Sequence, residues 1–358
     1  MLYQLEDGSI HNDAGFLVYM STDRFLDSIV SGDCCFICGR APSKTDFNKE
    51  HILSNWILNR YKLHSKYIDL PNATGHSYGS YTIPCCVNCN GLMNTIFEIP
   101  IREYVLKGYS HIKTALHRDG PLRFFVWLAL IFLKTHLKDS RIPLHRDKRK
   151  GSGNISDAYA WNELHHLHCV ARMFFTMCDL DPATLGTVYL APALCDTGIE
   201  PFDYADNLEA QTVMIRLDCI ALIAVLNDCN ATGSILEADL MKLPGPFEPL
   251  ELRELFVHFT NVNLQIINRP KFMTHADGRL GRLAIRAENI PSDWETRLFD
   301  QTQFATLMNR YCYMTKSVEG QKHDPELLKQ GKITFLKEPE GGYKYMKYQK
   351  WPNRFNSR

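Results

Sequence analysis

No apolar run in this sequence of 358 residues is long enough to span a bilayer. The longest, FFVWLALIFL from Phe124 to Leu133, has the length of a buried helix. The opening stretch, MLYQLEDGSIHND, carries no cationic apolar run, so no secretory leader is expected. Neither sign of charge dominates: Lys+Arg and Asp+Glu stand at 40 each. Bulk charge therefore selects neither a polyanion nor a membrane surface as partner, and local patches must do so. No internal repeat is present, which excludes a solenoid or propeller. A hydrophobic share of 45% excludes a disordered chain. These absences lead us to expect a soluble, cytoplasmic protein with no membrane partner and enough length for two domains with proper cores.

Cysteine is not scarce. Twelve cysteines in a short secreted chain would read as a disulfide framework, but in a long chain without a leader metal ligation or reduced thiols fit better. Six fall in two tight clusters, CCFIC (Cys34, Cys35, Cys38) and CCVNC (Cys85, Cys86, Cys89). The other six, Cys169, Cys178, Cys195, Cys219, Cys229 and Cys312, are scattered, and each is expected as a small buried hydrophobe.

The coarse pattern is α+β. STDRFLDSIVSG reads as a short helix capped by Ser21 or Thr22 and ended by Gly32. GHSYGSYTIPCC reads as a strand delivering the second cysteine cluster, and NGLMNTIFEIPIREYVLKG as a helix ended or kinked at Pro100. Residues 121–138 form an apolar helix, RIPLHRDKRKGSGN a basic loop and plausible boundary, and DAYAWNELHHLHCVARMFFTM another helix. Beyond residue 184 the pattern turns β-rich, with TVYLAPA a strand and TVMIRLDCIALIAVLND a hairpin turning near Asp218. Helical pieces follow at EADLMKL, LELRELFVHF and DWETRLFDQTQFATLMNRYCYM. The expected division is a zinc-bound domain over 1–120, a helical segment with an α+β domain over 121–338, and a basic, aromatic tail over 339–358.

C-x-x-C sets two thiolates on one tight turn, and two such turns supply the closed four-ligand arrangement of structural zinc. The doubled cysteines leave a register choice. Cys35/Cys38 and Cys86/Cys89 both have two intervening residues and are the expected ligands, with Cys34 and Cys85 as bystanders. Zinc would tie residue 38 to residue 86 and contribute much of the folding energy of the segment between. That segment contains KEHILSNWIL, with Glu50 directly before His51, and Asn90 stands just past the second turn.

C-x-x-C, an acid–His pair, then C-x-x-C-Asn opening a helix resembles the zinc-stapled HNH endonucleases and their ββα-metal core. The likeness covers about residues 33–100. It implies a small ββα-metal domain followed by helices and a mixed C-terminal domain. It implies His51 as the general base that deprotonates water for attack on a phosphodiester, a task an imidazole suits. It places Glu50 and Asn90 at the ligands of a catalytic Mg²⁺ or Mn²⁺ ion, separate from the zinc. Glu50 departs from the family's usual aspartate. Asn94, one helical turn after Asn90, is a further candidate, and Glu98 shares that face. Asn72 and Asn55 both compete for the asparagine that orients the histidine. The resemblance implies a DNA substrate and products with 5′-phosphate and 3′-hydroxyl ends. RNA as substrate, and a zinc-stapled binding module with a decayed nuclease centre, are the alternatives.

Basic residues follow the core: Lys107, Lys113, Arg118 and Arg123, then Arg141, Arg146, Lys148, Arg149 and Lys150. Such a track would give phosphate contacts, and the tail aromatics Tyr343, Tyr345, Tyr348, Trp351 and Phe355 could stack on bases. His165, His168 and Cys169 share a helix face, with packing the expected role and a second metal the alternative. Residues 184–338 hold more acids than bases and suit a sensor, a homo-oligomer interface or a regulatory protein partner. An HNH core joined to a large second domain is a layout met in antiviral defence nucleases of bacteria and phages, by analogy alone.

Overall fold

The computed structural model describes residues 1–70, 72, 74–196, 198–243, 245–277, 282–313, 315 and 325–336. The basic, aromatic tail at 339–358 lies outside them. The fold is α+β, as expected. Strands β1 (Leu2–Gln4), β2 (Ile10–Asn12) and β3 (Leu17–Tyr19) form an antiparallel sheet that no apolar period foretells. Helix α1 (Thr22–Arg24) runs into a π-type segment at Phe25–Val30, and the Ser21 hydroxyl caps it by accepting from the Arg24 N–H.

Strand β4 (Phe47–His51), helix α2 (Asn55–Arg60), the paired strands β5 (Tyr67–Asp69) and β6 (Gly75–Ser77), and β7 (Thr82–Cys86) follow. β4 and β7 pair antiparallel, from Phe47 opposite Cys86 to His51 opposite Thr82. Cys86 then caps helix α3 (Val87–Met93), which continues through a π-type turn at Asn94–Glu98 into α4 (Ile99–Lys107). Pro100 does not end this helix. It has no N–H to give, and the Ile96 carbonyl one turn earlier accepts instead from the Arg123 guanidinium at 2.6 Å. Helices α5 (Tyr109–Asp119), α6 (Leu122–Asp139) and α7 (Trp161–Thr176) lead to the short strand β8 (Asp179–Leu180).

Strands β9 (Thr187–Pro192), β10 (Phe202–Asn207), β11 (Thr212–Leu217) and β12 (Ile220–Val225) form a second antiparallel sheet in the order β10-β11-β12-β9. The β11–β12 hairpin turns at Asp218, where φ is 53°. Then come α8 (Ala231–Leu240), α9 (Pro249–Gln265), β13 (Lys271–Asp277), β14 (Arg282–Glu288), α10 (Gln301–Cys312) and α11 (Pro325–Lys329). β14 lies between β13 and β8, parallel to β8.

These elements belong to two compact units whose chain segments interleave. The first takes Met1–Tyr104, Leu122–Pro182 and Phe272–Arg286. The second takes Val105–Pro121, Ala183–Lys271 and the described residues from Ala287 onward. The division therefore does not follow the 120/121 boundary drawn from sequence, and the basic loop after α6 lies inside the first unit. In that unit α6 is buried on all sides from Phe124 to Leu137 and packs on α7 and β7. In the second, α9 lies on the four-stranded sheet and joins Met214, Ile223, Leu255, Phe256, Phe259 and Met308 in one core. No single helix among the described residues is long and apolar enough to cross a membrane.

Cys195 and Cys219 are disulfide-bonded, which corrects the expectation of a free buried thiol at each. The hairpin turn sets Cys219 beside the end of β9, where the Ala193 N–H donates to the Cys219 carbonyl at 2.9 Å. Cys169, Cys178, Cys229 and Cys312 are buried thiols outside any disulfide, as expected.

Candidate metal centre and histidine site

Two tight turns build the thiol cluster. The first is closed by the Gly39 N–H donating to the Cys35 carbonyl and the Cys35 N–H to the Arg40 carbonyl, with Gly39 at a φ of 73° that favours glycine. The second is the entry to α3, where the Cys86 sulfur accepts from the Cys89 N–H at 3.4 Å. The sulfurs of Cys35, Cys38, Cys86 and Cys89 lie within 4.8 Å of one another, all buried, in the register chosen from spacing. Cys38 and Cys86 are 3.7 Å apart. A tetrahedron with metal–sulfur bonds of about 2.3 Å has edges of about 3.8 Å, so the set fits zinc. Of the bystanders, Cys34 is half-exposed, whereas Cys85 is buried with its sulfur 3.8 Å from that of Cys35.

Without a cation so many thiols cannot all ionise. Hydrogen bonds from Cys38, Cys85 and Cys89 pull Cys35 well below the usual thiol range. The same hydrogen bonding to Cys35 pushes Cys38 up to about 12 and raises Cys85 and Cys89 further. A dication removes that conflict by stabilising all four thiolates together.

Helix α7 braces the first turn. His168 Nε2 donates to the Phe36 carbonyl at 2.7 Å, and Arg172 donates to the carbonyls of Ile37 and Leu17. His165 Nε2 bonds the Met20 carbonyl at 2.8 Å and lies 3.9 Å from the Cys169 sulfur. The histidine face of α7 is therefore a backbone clamp, the packing role expected of it. The charge of the buried Arg172 acts on Cys38, Cys35 and Cys89, so it would offset the charge of about −2 that four thiolates leave on a bound zinc.

Strand alternation sends Glu50 and His51 to opposite faces of β4. His51 is half-buried at the strand end, and its ring donates to the Gly79 carbonyl. Gly79 can lie there because it has no Cβ; one would come within 2.8 Å of the His64 carbonyl. The His64 ring stands edge-on to His51 at 6.0 Å and bonds Asn59 at 3.1 Å. Burial lowers the His51 pKa, opposed by Glu50 and the Gly79 bond and aided by His64 and Lys134. The ring is thus neutral and orientated near pH 7.

Glu50 is 5% exposed and meets Lys134 of α6, 4% exposed, at 2.7 Å. The same ammonium donates to the His51 carbonyl at 2.8 Å. Glu98 faces Lys134 and Glu50 and is bonded to Ser54. Burial raises its pKa, against the pull of Lys134. Asn90 instead donates to Asn48 Oδ1 at 2.9 Å, and Asn94 is exposed. A catalytic ion ligated by Glu50 and Asn90 does not fit this arrangement. A dication about 4 Å from an ammonium is repelled by roughly 8 kcal/mol at an effective dielectric constant of 20. Neither asparagine considered for orienting His51 is bonded to it: Asn72 donates to the Pro143 carbonyl at 3.0 Å, and Asn55 is exposed at the start of α2. Gly79 does that work.

Lys134, Gly79 and His64 escaped the sequence reading. One signal existed for Lys134, which directly follows the apolar run of α6, since a lysine buried there requires an acid. Comparison of the chain with family models, with curated proteins and with solved structures gives no significant match.

Proposed function

We propose that this chain is an HNH-type phosphodiester hydrolase acting on DNA, with His51 as general base. The observation that carries the reading is His51 itself. It is a half-exposed, neutral imidazole at the end of an antiparallel strand pair that leads into a four-thiol cluster, with its ring held by a backbone carbonyl. The ring nitrogen not engaged by Gly79 takes a proton from water, the hydroxide formed attacks phosphorus, and the P–O3′ bond breaks, the departing 3′-oxygen taking a proton from solvent water. Mg²⁺ or Mn²⁺ is the second component implied by the resemblance. Glu50 offers such an ion its carboxylate only if Lys134 is displaced, so no step is routed through it here.

The Glu50–Lys134 pair favours a second reading, a zinc-stapled nucleic-acid-binding module whose nuclease centre has decayed. One assay separates them. Purified protein is incubated with supercoiled plasmid and, in parallel, structured RNA, with Mg²⁺, Mn²⁺ or EDTA. Cleavage by the wild type that is lost in His51→Ala, with zinc content unchanged, is expected. A wild type that cuts neither polymer under any condition, or a His51→Ala variant that cuts at the wild-type rate, overturns the hydrolase reading.

A further inference from the structure

Three of the basic residues after the cysteine turns are engaged elsewhere. Arg118 pairs with Asp119 at 2.6 Å, Arg149 with Asp147 at 2.8 Å, and Arg123 caps the Ile96 carbonyl. Three cations that the sequence does not group together are different. Strand alternation puts Lys49 on the same face of β4 as His51, and it is exposed. Lys138 lies one helical turn beyond Lys134, which bonds Glu50 and the His51 carbonyl of β4, and Arg141 follows just past the end of α6; the charges of Arg141 and Lys49 both act on Lys138. Arg141 is pinned at the entry to the first cysteine turn, donating to the Gly32 carbonyl at 2.9 Å. No carboxylate among the described residues forms an ion pair with any of the three; Asp33 is the one acid whose charge acts on Arg141. Burial and the two neighbouring cations lower the Lys138 pKa, as expected of like charges held together without an anion.

We propose that Lys49, Lys138 and Arg141 form a phosphate-contact track that holds a nucleic-acid backbone alongside β4. The proposal rests on the hydrolase reading for its choice of partner, and it names residues that reading leaves unassigned. Cations carried by a strand and a helix end grip phosphates without reading bases, so the track sets position and affinity, not sequence preference.

The test is binding by fluorescence anisotropy, in the non-cleaving His51→Ala background, to duplex DNA of two unrelated sequences and to duplex RNA over a range of salt. Lys49→Gln/Lys138→Gln/Arg141→Gln should weaken binding to both DNA sequences equally. It should also flatten the slope of log K against log salt by about 2 to 3, at roughly 0.9 per phosphate contact on DNA. Because Lys138 is half-buried, Lys49→Gln/Arg141→Gln serves as a second variant that changes exposed side chains only, with an expected flattening of about 2. Unchanged zinc content checks that the fold survives. An unaltered slope in both variants overturns the track, as does failure of the parent to bind any of the duplexes. A flattened slope with no cleavage by the wild type keeps the track and rejects the hydrolase; cleavage with an unaltered slope does the reverse.

Discussion

His51 and Glu50 are neighbours in sequence and opposites in environment. One looks toward solvent from the strand end, the other into a buried cluster with Lys134 and Glu98. Lys134 bridges the two by bonding the carboxylate of one and the carbonyl of the other. A buried pair of this kind adds little net stability, but it fixes geometry, because removing either partner strands a charge in the interior. It therefore holds the backbone at His51 while Gly79 holds the ring. The lowered pKa of His51 gives a signed expectation for pH. A general base works when neutral, so kcat/KM should rise with pH and level off above an apparent pKa under the ordinary 6.5. The rate measured from pH 4 to 8 checks this; an acid limb centred above 6.5 would contradict the environment described for His51.

At the scale of elements, the paired strands β4 and β7 with α3 are a small assembly beside which two cysteine turns meet at four sulfurs. Three buried thiols pushed upward and one pulled down describe a cluster whose thiolates a dication would stabilise together. Chelation of zinc should accordingly loosen this part of the chain. Hydrogen exchange before and after treatment with a strong chelator is the measurement. Protection is expected to fall across 35–40 and 82–93 while the four-stranded sheet of the second unit keeps its own; equal protection with and without metal would remove zinc from the account of folding. The helix α3–α4 shows the reverse case, where a local signal misleads. Pro100 reads as a stop, yet a distant guanidinium satisfies the carbonyl that proline leaves open.

The whole molecule is two units threaded through one another in sequence. Helix α5 belongs to the second unit, and strands β13 and β14 join β8 in one sheet. The disulfide belongs to the second unit alone and closes a sequence separation of 24 between Cys195 and Cys219. Tying such a loop restricts the unfolded chain, by roughly 2–4 kcal/mol in the chain-entropy account. Reduction, or Cys195→Ser with Cys219→Ser, should lower the unfolding midpoint of that unit in urea and leave the zinc content unaltered. A midpoint that does not move would mean that the bridge constrains nothing.

Short-range information was legible in the sequence. C-x-x-C spacing placed the four ligands, capping chemistry placed α1, and apolar periodicity placed α6, α7 and the β11–β12 hairpin, because each depends on residues within a few positions of one another. The tertiary structure alone decided which groups meet from far along the chain. Lys134 reaches Glu50 across 84 residues, Arg172 reaches Ile37 across 135, and Cys219 finds Cys195 only because a sheet brings β9 beside β12. Such contacts leave no period or spacing behind, since the energy that selects them comes from burying charge and closing packing, and burial exists only once the chain has folded.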